Sequence, residues 1–267
     1  MKLTLGLSSC PNDTFIFDAL IHQKVDTEGL EFDVVFADVE KLNKLAFDER
    51  LDVTKLSFNA FAQCISKYIL LDSGSALGRK CGPILIKRPN VFLSSDSKIA
   101  IPGKFTTANL LLSISNPQYL NKVEMCFSEI ENAILSANVE AGLIIHENRF
   151  TYKKKGLEKV EDLGEFWEEE TGLPLPLGGI VVKRILPYEI QKKMERVLKK
   201  SIEYAFSHRD ASLDFVQYHA SEIEIDVIKS HIALYVNNYS ISLGKKGRKA
   251  VTLLFERIGC QNNNIFL

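Results

Sequence analysis

The chain has almost no surplus charge: 33 Lys and Arg stand against 34 Asp and Glu, a formal net charge of -1 over 267 residues. A nucleic-acid binder needs a basic face to displace counterions from phosphates, and these totals provide none. The one basic run, Lys153, Lys154 and Lys155, fits a solvated loop better than a phosphate track. Five cysteines, at 10, 64, 81, 126 and 260, are scattered, odd in number and form no C-x-x-C pair. That pattern speaks against a disulfide framework and for reduced thiols. No segment approaches the roughly 18 apolar residues needed to cross a bilayer, so no membrane partner is expected. The N-terminal MKLTLGLSSCPND turns polar too soon for a secretory signal. A cytoplasmic protein is the expectation.

Signature motifs are equally scarce. There is no G-x-G-x-x-G, no P-loop and no G-x-S-x-G, so dinucleotide, nucleotide and serine-hydrolase chemistry have no anchor. His22, His208, His219 and His231 lack short His/Cys spacing, and HENRF is not H-E-x-x-H. No metal and no cofactor is expected. Ser8, Ser9 and Cys10 are possible nucleophiles, but no base is placed beside them.

What the sequence does contain is a rhythm. Leu3–Leu7 reads as a strand and 13–23 as a helix; Leu30–Phe36 as a strand and 39–49 as a helix; 51–57 as a strand and 57–68 as a helix. KIAIPGKFTTANLLLSI, 98–114, repeats the unit, and AGLIIH, 141–146, is a further strand. Segment 157–172 contains a helix that Gly172 can close. From Pro187 to about Ser207 a long helix puts Ile190, Met194, Val197, Leu198 and Ile202 on one face. The order β-α-β-α predicts an α/β fold with parallel strands. GPILIKR at 82–88 and GGIVVKR at 178–184 look alike and bracket the middle of the chain. Taken as two crossings, they divide the chain into a discontinuous first domain, 1–92 with 177–267, and an inserted second domain, 93–176. Two such α/β lobes form a cleft, a favoured place for a ligand, and paired crossings allow hinge closure.

Three strand-to-helix turns carry polar residues where α/β sheets bind ligands. In SSCPNDTF, Asn12 or Asp13 can cap the following helix. In TKLSFN, Lys55 precedes Ser57, a good N-cap. In GKFTTAN, Thr106 or Thr107 caps a Leu-rich helix. Helix N-termini favour an anion, and together the turns suit a small polar carboxylate. GLIIHENRFTY, 142–152, adds His146 where an apolar strand gives way to polarity. An imidazole there is packing filler, a ligand contact or a base titrating near neutrality. Glu147 would alternate to the opposite face of a continuing strand and is the weaker candidate. Arg149 suits either a carboxylate or a surface ion pair. Phe15 and Phe17 read as core.

SSCPNDTFIFDALI, TKLSFNAFAQ, ALGRKCGPILI, TTANLLLS, EAGLIIHENRFTY and WEEETGLPLPLGGI together resemble the 1,4-dihydroxy-6-naphthoate synthase family, of the futalosine route to menaquinone, almost end to end. The family usually reads S-P-C-P-N-D; here Ser9 replaces the first Pro, which removes no polar group. The resemblance implies a type II periplasmic-binding-protein-like fold and a carbon-carbon lyase. That enzyme would cleave cyclic de-hypoxanthine futalosine, an aromatic carboxylate, without metal or redox cofactor. It implies that His146 is the catalytic base. It also implies that Lys55, Leu56 and Ser57, and Thr107 with Ala108, are the substrate-binding turns. Two other readings share the fold: a solute-binding protein with no chemistry, and an enzyme similar to chorismate dehydratases. The lack of a secretory signal and the HENRFTY stretch favour the lyase.

Overall fold

Proline at the first turn of a helix forgoes an N–H that has no intrahelical partner anyway, and Pro11 starts the first helix in this way. The structure is a computed structural model that describes residues 1–220, 224–260 and 264–267. The chain separates into two units, Met1–Gly78 with Pro176–Leu267, and Arg79–Leu175.

The first unit opens with β1 (Lys2–Leu7), α1 (Pro11–Ile21), β2 (Glu31–Phe36), α2 (Val39–Phe47), β3 (Val53–Ser57), α3 (Phe58–Gln63), β4 (Tyr68–Leu70) and β5 (Ala76–Gly78). In the second unit come β6 (Ile84–Lys87), β7 (Ile99–Ile101), α4 (Thr107–Ser115), β8 (Lys122–Glu124), α5 (Ile130–Leu135), β9 (Ala141–Ile144), α6 (Asn148–Thr151), β10 (Glu158–Asp162) and α7 (Leu163–Thr171). β11 (Leu175–Lys183) returns to the first unit, followed by α8 (Tyr188–Ser207), α9 (Leu213–Ala220), α10 (Ile225–Tyr235), α11 (Asn238–Ile241) and α12 (Gly244–Arg257).

The first sheet runs β2-β1-β3-β11-β4, with β5 beside β11. β1 is parallel to β2 and to β3, whereas β11 is antiparallel to both β3 and β4. The second sheet runs β10-β6-β9-β7-β8. Here β7 is parallel to β8 and β9, and β6 is antiparallel to β9 and β10. Both sheets are therefore mixed where parallel strands were expected. The antiparallel members are the strands reached just after the chain changes unit. The look-alike segments are these two strands, each apolar because it is paired on both edges and buried on both faces. β6 takes its partners inside the second unit, so the first unit ends at Gly78, whereas the sequence reading carried it to residue 92.

α1 is buried over nearly its whole surface because α8, α9 and α10 pack on it. Phe15, Phe17 and Leu20 join Met194, Val197, Leu198 and Ile202 in one core. A buried hydroxyl between two helices has to be satisfied. Ser201 donates to the Ile16 carbonyl at 2.7 Å and accepts from the Leu20 N–H at 3.0 Å, joining α8 to α1. The core of the second unit gathers Ile84, Ile86, Ala100, Ile130, Ile134 and Ile144. Segment 157–172 is only half helical. EKVED pairs along β6 as an edge strand whose charged residues discourage further pairing. Asp162 then caps α7 through the N–H groups of Gly164 and Glu165, and Gly172 closes it in the left-handed region at φ 66°.

Glycine is required where β6 meets α7. A Cβ on Gly82 would lie 2.1 Å from the Gly164 nitrogen and 2.3 Å from its Cα. Both atoms are backbone and cannot rotate away. Gly82→Ala is expected to destabilise the fold by about 3 kcal/mol, the upper range for overpacking. Urea denaturation reads this as a lower midpoint at constant slope; an unchanged midpoint would mean that the two backbones separate freely.

Candidate active site

Polar side chains collect in each unit at the C-terminal ends of parallel strands. In the first unit β1 delivers Ser8 and β3 delivers Lys55 and Ser57. Asn12 and Asp13 do not cap α1 as expected: Cys10 holds the N-cap position without a side-chain cap bond, because Pro11 already occupies the first helical position. Asn12 and Asp13 lie inside the first turn instead. The Asp13 carboxylate accepts from the Ser8 N–H at 3.2 Å, the Ser8 hydroxyl at 2.7 Å and the Asn12 amide at 2.7 Å. It also pairs with the Lys55 ammonium at 3.3 Å. All four residues are buried.

Lys55 is the unusual member. It lies in an inner strand, 7% exposed, and its ammonium makes no hydrogen bond among the described residues. An ammonium carries three donors, and leaving them unmet in a buried place is unfavourable. Asp13 accepts three hydrogen bonds while the donors of Lys55 go unmet among the described residues, so the cluster presents donors and positive charge. Ser57, two residues along the strand, lies on the same face. It holds the N-cap position of α3, as expected, but makes no cap bond. Instead Asn43 of α2 reaches both its N–H and its hydroxyl. The sequence reading of 39–49 as a helix singles out no site residue and passes over Asn43. Its only signal was a polar residue beside an apolar stripe. Leu56 points its side chain into the core and offers only backbone, against which Gly178 lies: a Cβ there would meet the Leu56 carbonyl oxygen at 2.5 Å.

In the second unit Thr106, not Thr107, caps α4, accepting from the Asn109 N–H at 3.2 Å and donating to the Gly103 carbonyl at 2.8 Å. Thr107 and Ala108 form the first turn, both buried, where helix N–H groups point out of the helix end. His146 does not end a strand. β9 stops at Ile144, and His146 sits in the following turn with φ 57°. His tolerates this region better than most residues, yet a non-glycine residue there still marks a local constraint. The Phe127 ring meets the imidazole edge-on at a centroid distance of 5.1 Å.

Because the strand stops early, the alternation that discounted Glu147 does not apply. Glu147 sits at the N-cap position of α6 with Oε2 buried and without a hydrogen bond among the described residues. Burial pushes its carboxyl above the usual range, a backbone hydrogen bond opposes this, and nearby Glu131 adds to it. Glu131 accepts from Asn148 at 2.9 Å and from Lys155 at 2.5 Å, tying α5 to the segment after His146. Lys155 of the basic run therefore has a structural partner. Arg149 is engaged as well: it donates to the Gly82 carbonyl and pairs with Asp162 at 3.1 Å. That pair is largely buried rather than on the surface. Among the described residues no group of three or more His, Cys, Asp or Glu is arranged to hold a metal ion. No described helix is long and apolar enough to cross a membrane.

With the geometry established, the chain can be compared with known proteins. A family described as menaquinone biosynthesis matches residues 3–259. The 1,4-dihydroxy-6-naphthoate synthase of Thermus thermophilus is 44% identical over 253 residues, 95% of this chain and 92% of that protein. The protein of the same name from Streptomyces coelicolor is 38% identical over 264 residues, 97% and 93% of the two chains. A Candida albicans protein described as having the generic periplasmic binding protein fold superposes with a TM-score of 0.70. It covers 100% of this chain and 97% of that one at 12% identity, a likeness of fold alone. The fold is periplasmic-binding-protein-like, as the family resemblance implies.

Glu147 makes stability depend on pH in a definite direction. A carboxyl raised above its ordinary 4.5 supports the folded state fully below that value. This support is lost as pH rises through the folded value. Glu147→Gln keeps the uncharged form at every pH. Its Tm should match that of the parent near pH 4.5 and exceed it at pH 8. Calorimetric scans at the two pH values decide the matter, and a difference independent of pH would count against Glu147 as the strained group.

Proposed function

The chain belongs to the 1,4-dihydroxy-6-naphthoate synthase family of menaquinone biosynthesis, and from that premise we propose that it is a lyase. It cleaves cyclic de-hypoxanthine futalosine to release 1,4-dihydroxy-6-naphthoate, with His146 as general base. The observation that carries the reading is the placement of His146. It follows a buried parallel strand, where α/β sheets present catalytic groups, and is held in a constrained backbone turn. A neutral imidazole removes a proton near the substrate ketone. The electron pair left behind enters the ring system, the scissile carbon-carbon bond breaks with its electron pair leaving on the departing fragment, that fragment takes the proton back from the imidazolium, and a second aromatic ring forms. No electrons are gained or lost overall, so the step calls on no redox cofactor.

The first unit's cluster suits the substrate's ring carboxylate. Lys55 supplies charge and unmet donors, Ser57 a hydroxyl on the same strand face, and Asp13, held by Ser8 and Asn12, anchors the ammonium. The first-turn N–H groups of Thr107 and Ala108 suit a second anionic or carbonyl oxygen. Thr106 keeps that turn in shape through its cap bonds.

His146→Asn tests the base. Asparagine retains polarity and similar bulk but cannot take the proton. Single-turnover cleavage should fall by at least roughly a hundredfold, while calorimetry should still find the substrate bound. Near-normal cleavage by the folded variant would sink the base assignment. Lost binding would make His146 a ligand contact instead.

A further inference from the structure

Asn43 is wholly buried on α2, a helix whose other buried residues are Leu42, Ala46 and Glu40. Asn is a weak helix former, and a buried amide has to be satisfied on both of its ends. Here the ends are matched by different partners. Oδ1 accepts from the Ser57 N–H at 3.1 Å. Nδ2 donates to Glu40 Oε2 at 3.1 Å and, over a longer 3.4 Å, to the Ser57 hydroxyl oxygen. Glu40 is itself buried. Turning the amide over would set Oδ1 against the Glu40 carboxylate and Nδ2 against the Ser57 N–H, two like contacts in place of two matched ones. Glu40 and the Ser57 backbone therefore fix which end of the amide faces the hydroxyl.

A serine hydroxyl has one proton to give and lone pairs to receive. At an N-cap its oxygen normally accepts from the helix it precedes, but Ser57 makes no such bond. Its oxygen receives from Asn43 Nδ2, which cannot accept a proton in return. We propose that Asn43, oriented by Glu40, is a positioning residue that makes Ser57 a hydrogen-bond donor toward the substrate carboxylate, beside the Lys55 ammonium on the same strand face. This rests on the carboxylate-binding reading of Ser57 given above. It adds two residues of α2 that touch no substrate to the machinery of recognition.

The test exchanges acid and amide. In the double variant Glu40→Gln, Asn43→Asp, the carboxylate at position 43 still accepts the Ser57 N–H and receives a bond from the new amide at position 40. The tie between α2 and β3 survives and the net charge is unchanged. The second oxygen at position 43 now accepts the Ser57 proton and draws it away from the ligand. The probes are 1,4-dihydroxy-6-naphthoate and 1,4-dihydroxynaphthalene, which lacks the carboxylate, with Kd measured by calorimetry and folding by circular dichroism. The exchange should weaken naphthoate binding by about tenfold or more, leave naphthalenediol binding unchanged, and have no further effect in a Ser57→Ala background. An equal loss with and without the Ser57 hydroxyl would overturn the proposal, assigning the effect to charge or packing. If Ser57→Ala alone leaves naphthoate binding intact, the carboxylate reading of Ser57 itself fails and the proposal falls with it. Should the exchanged pair not fold, Asn43→Ala enters the same cycle, and its loss of naphthoate affinity must likewise vanish without the Ser57 hydroxyl.

Discussion

A lysine buried in the middle of a sheet has to be matched, or the strand that carries it has no reason to stay inside. In the first unit Lys55 of β3 is matched by Asp13, at the other side of the β1–β3 pairing. Removing one member of a buried pair leaves an uncompensated charge, typically costing about 3–5 kcal/mol. Much of the local architecture follows from this. Asp13 must sit within the first turn of α1, not at its cap, to reach the ammonium. Ser8 must turn its hydroxyl back to Asp13. Ile180 of β11 pairs with Lys55, and Gly178 pairs with Ser57, where a Cβ would lie 2.5 Å from the Leu56 carbonyl oxygen. The pair is unequal, since the acid accepts three further hydrogen bonds and the base donates none among the described residues, and the proposed carboxylate site rests on this inequality.

The second unit solves a different problem, holding a titratable ring on a short turn. Three residues, Ile145, His146 and Glu147, separate the end of β9 from the start of the four-residue α6. A helix that short has little stability of its own. Its position comes from outside, through Asn148 and Lys155 onto Glu131 of α5 and through Arg149 onto Asp162 and Gly82. The residues after His146 that look in sequence like a ligand-binding polar patch are therefore mostly anchors. The ring itself packs against Phe127.

The larger elements were legible in sequence because their signals are periodic. α8 shows its inward face at helical spacing, and Met194, Val197, Leu198 and Ile202 are all fully buried. Gly172 closes α7 where a left-handed residue was needed. The polar turns at 8–13, 54–57 and 103–108 were found because α/β sheets put such residues at strand ends. What escaped was set by long-range partners. Which of Thr106 and Thr107 caps α4 depends on the loop that precedes it. Glu147 was discounted on an alternation that stops at Ile144, three residues before it. Asn43 lies fourteen positions from Ser57, and only the packing of α2 on β3 reveals that the two belong together.

The likeness of GPILIKR and GGIVVKR shows how a short match can be physically informative without being an ancestral repeat. Each segment enters a sheet against the direction of its neighbour and is paired on both edges, by β9 and β10 in one case and β3 and β4 in the other. Such a strand needs a continuous apolar run. Each also starts with glycine because another backbone comes close, Gly164 at Gly82 and Leu56 at Gly178. Each ends in Lys-Arg that ties the strand's exit: Lys87 and Arg88 reach the Val91 and Ile134 carbonyls, while Lys183 pairs with Asp52 and Arg184 donates to the Ile65 carbonyl. The same three demands, made independently in two sheets, produce the same seven-residue pattern. In β11 the glycine demand comes from the Leu56 carbonyl at the position paired with Ser57, so the residue that lets one strand return also lies against the strand that carries the first unit's cluster.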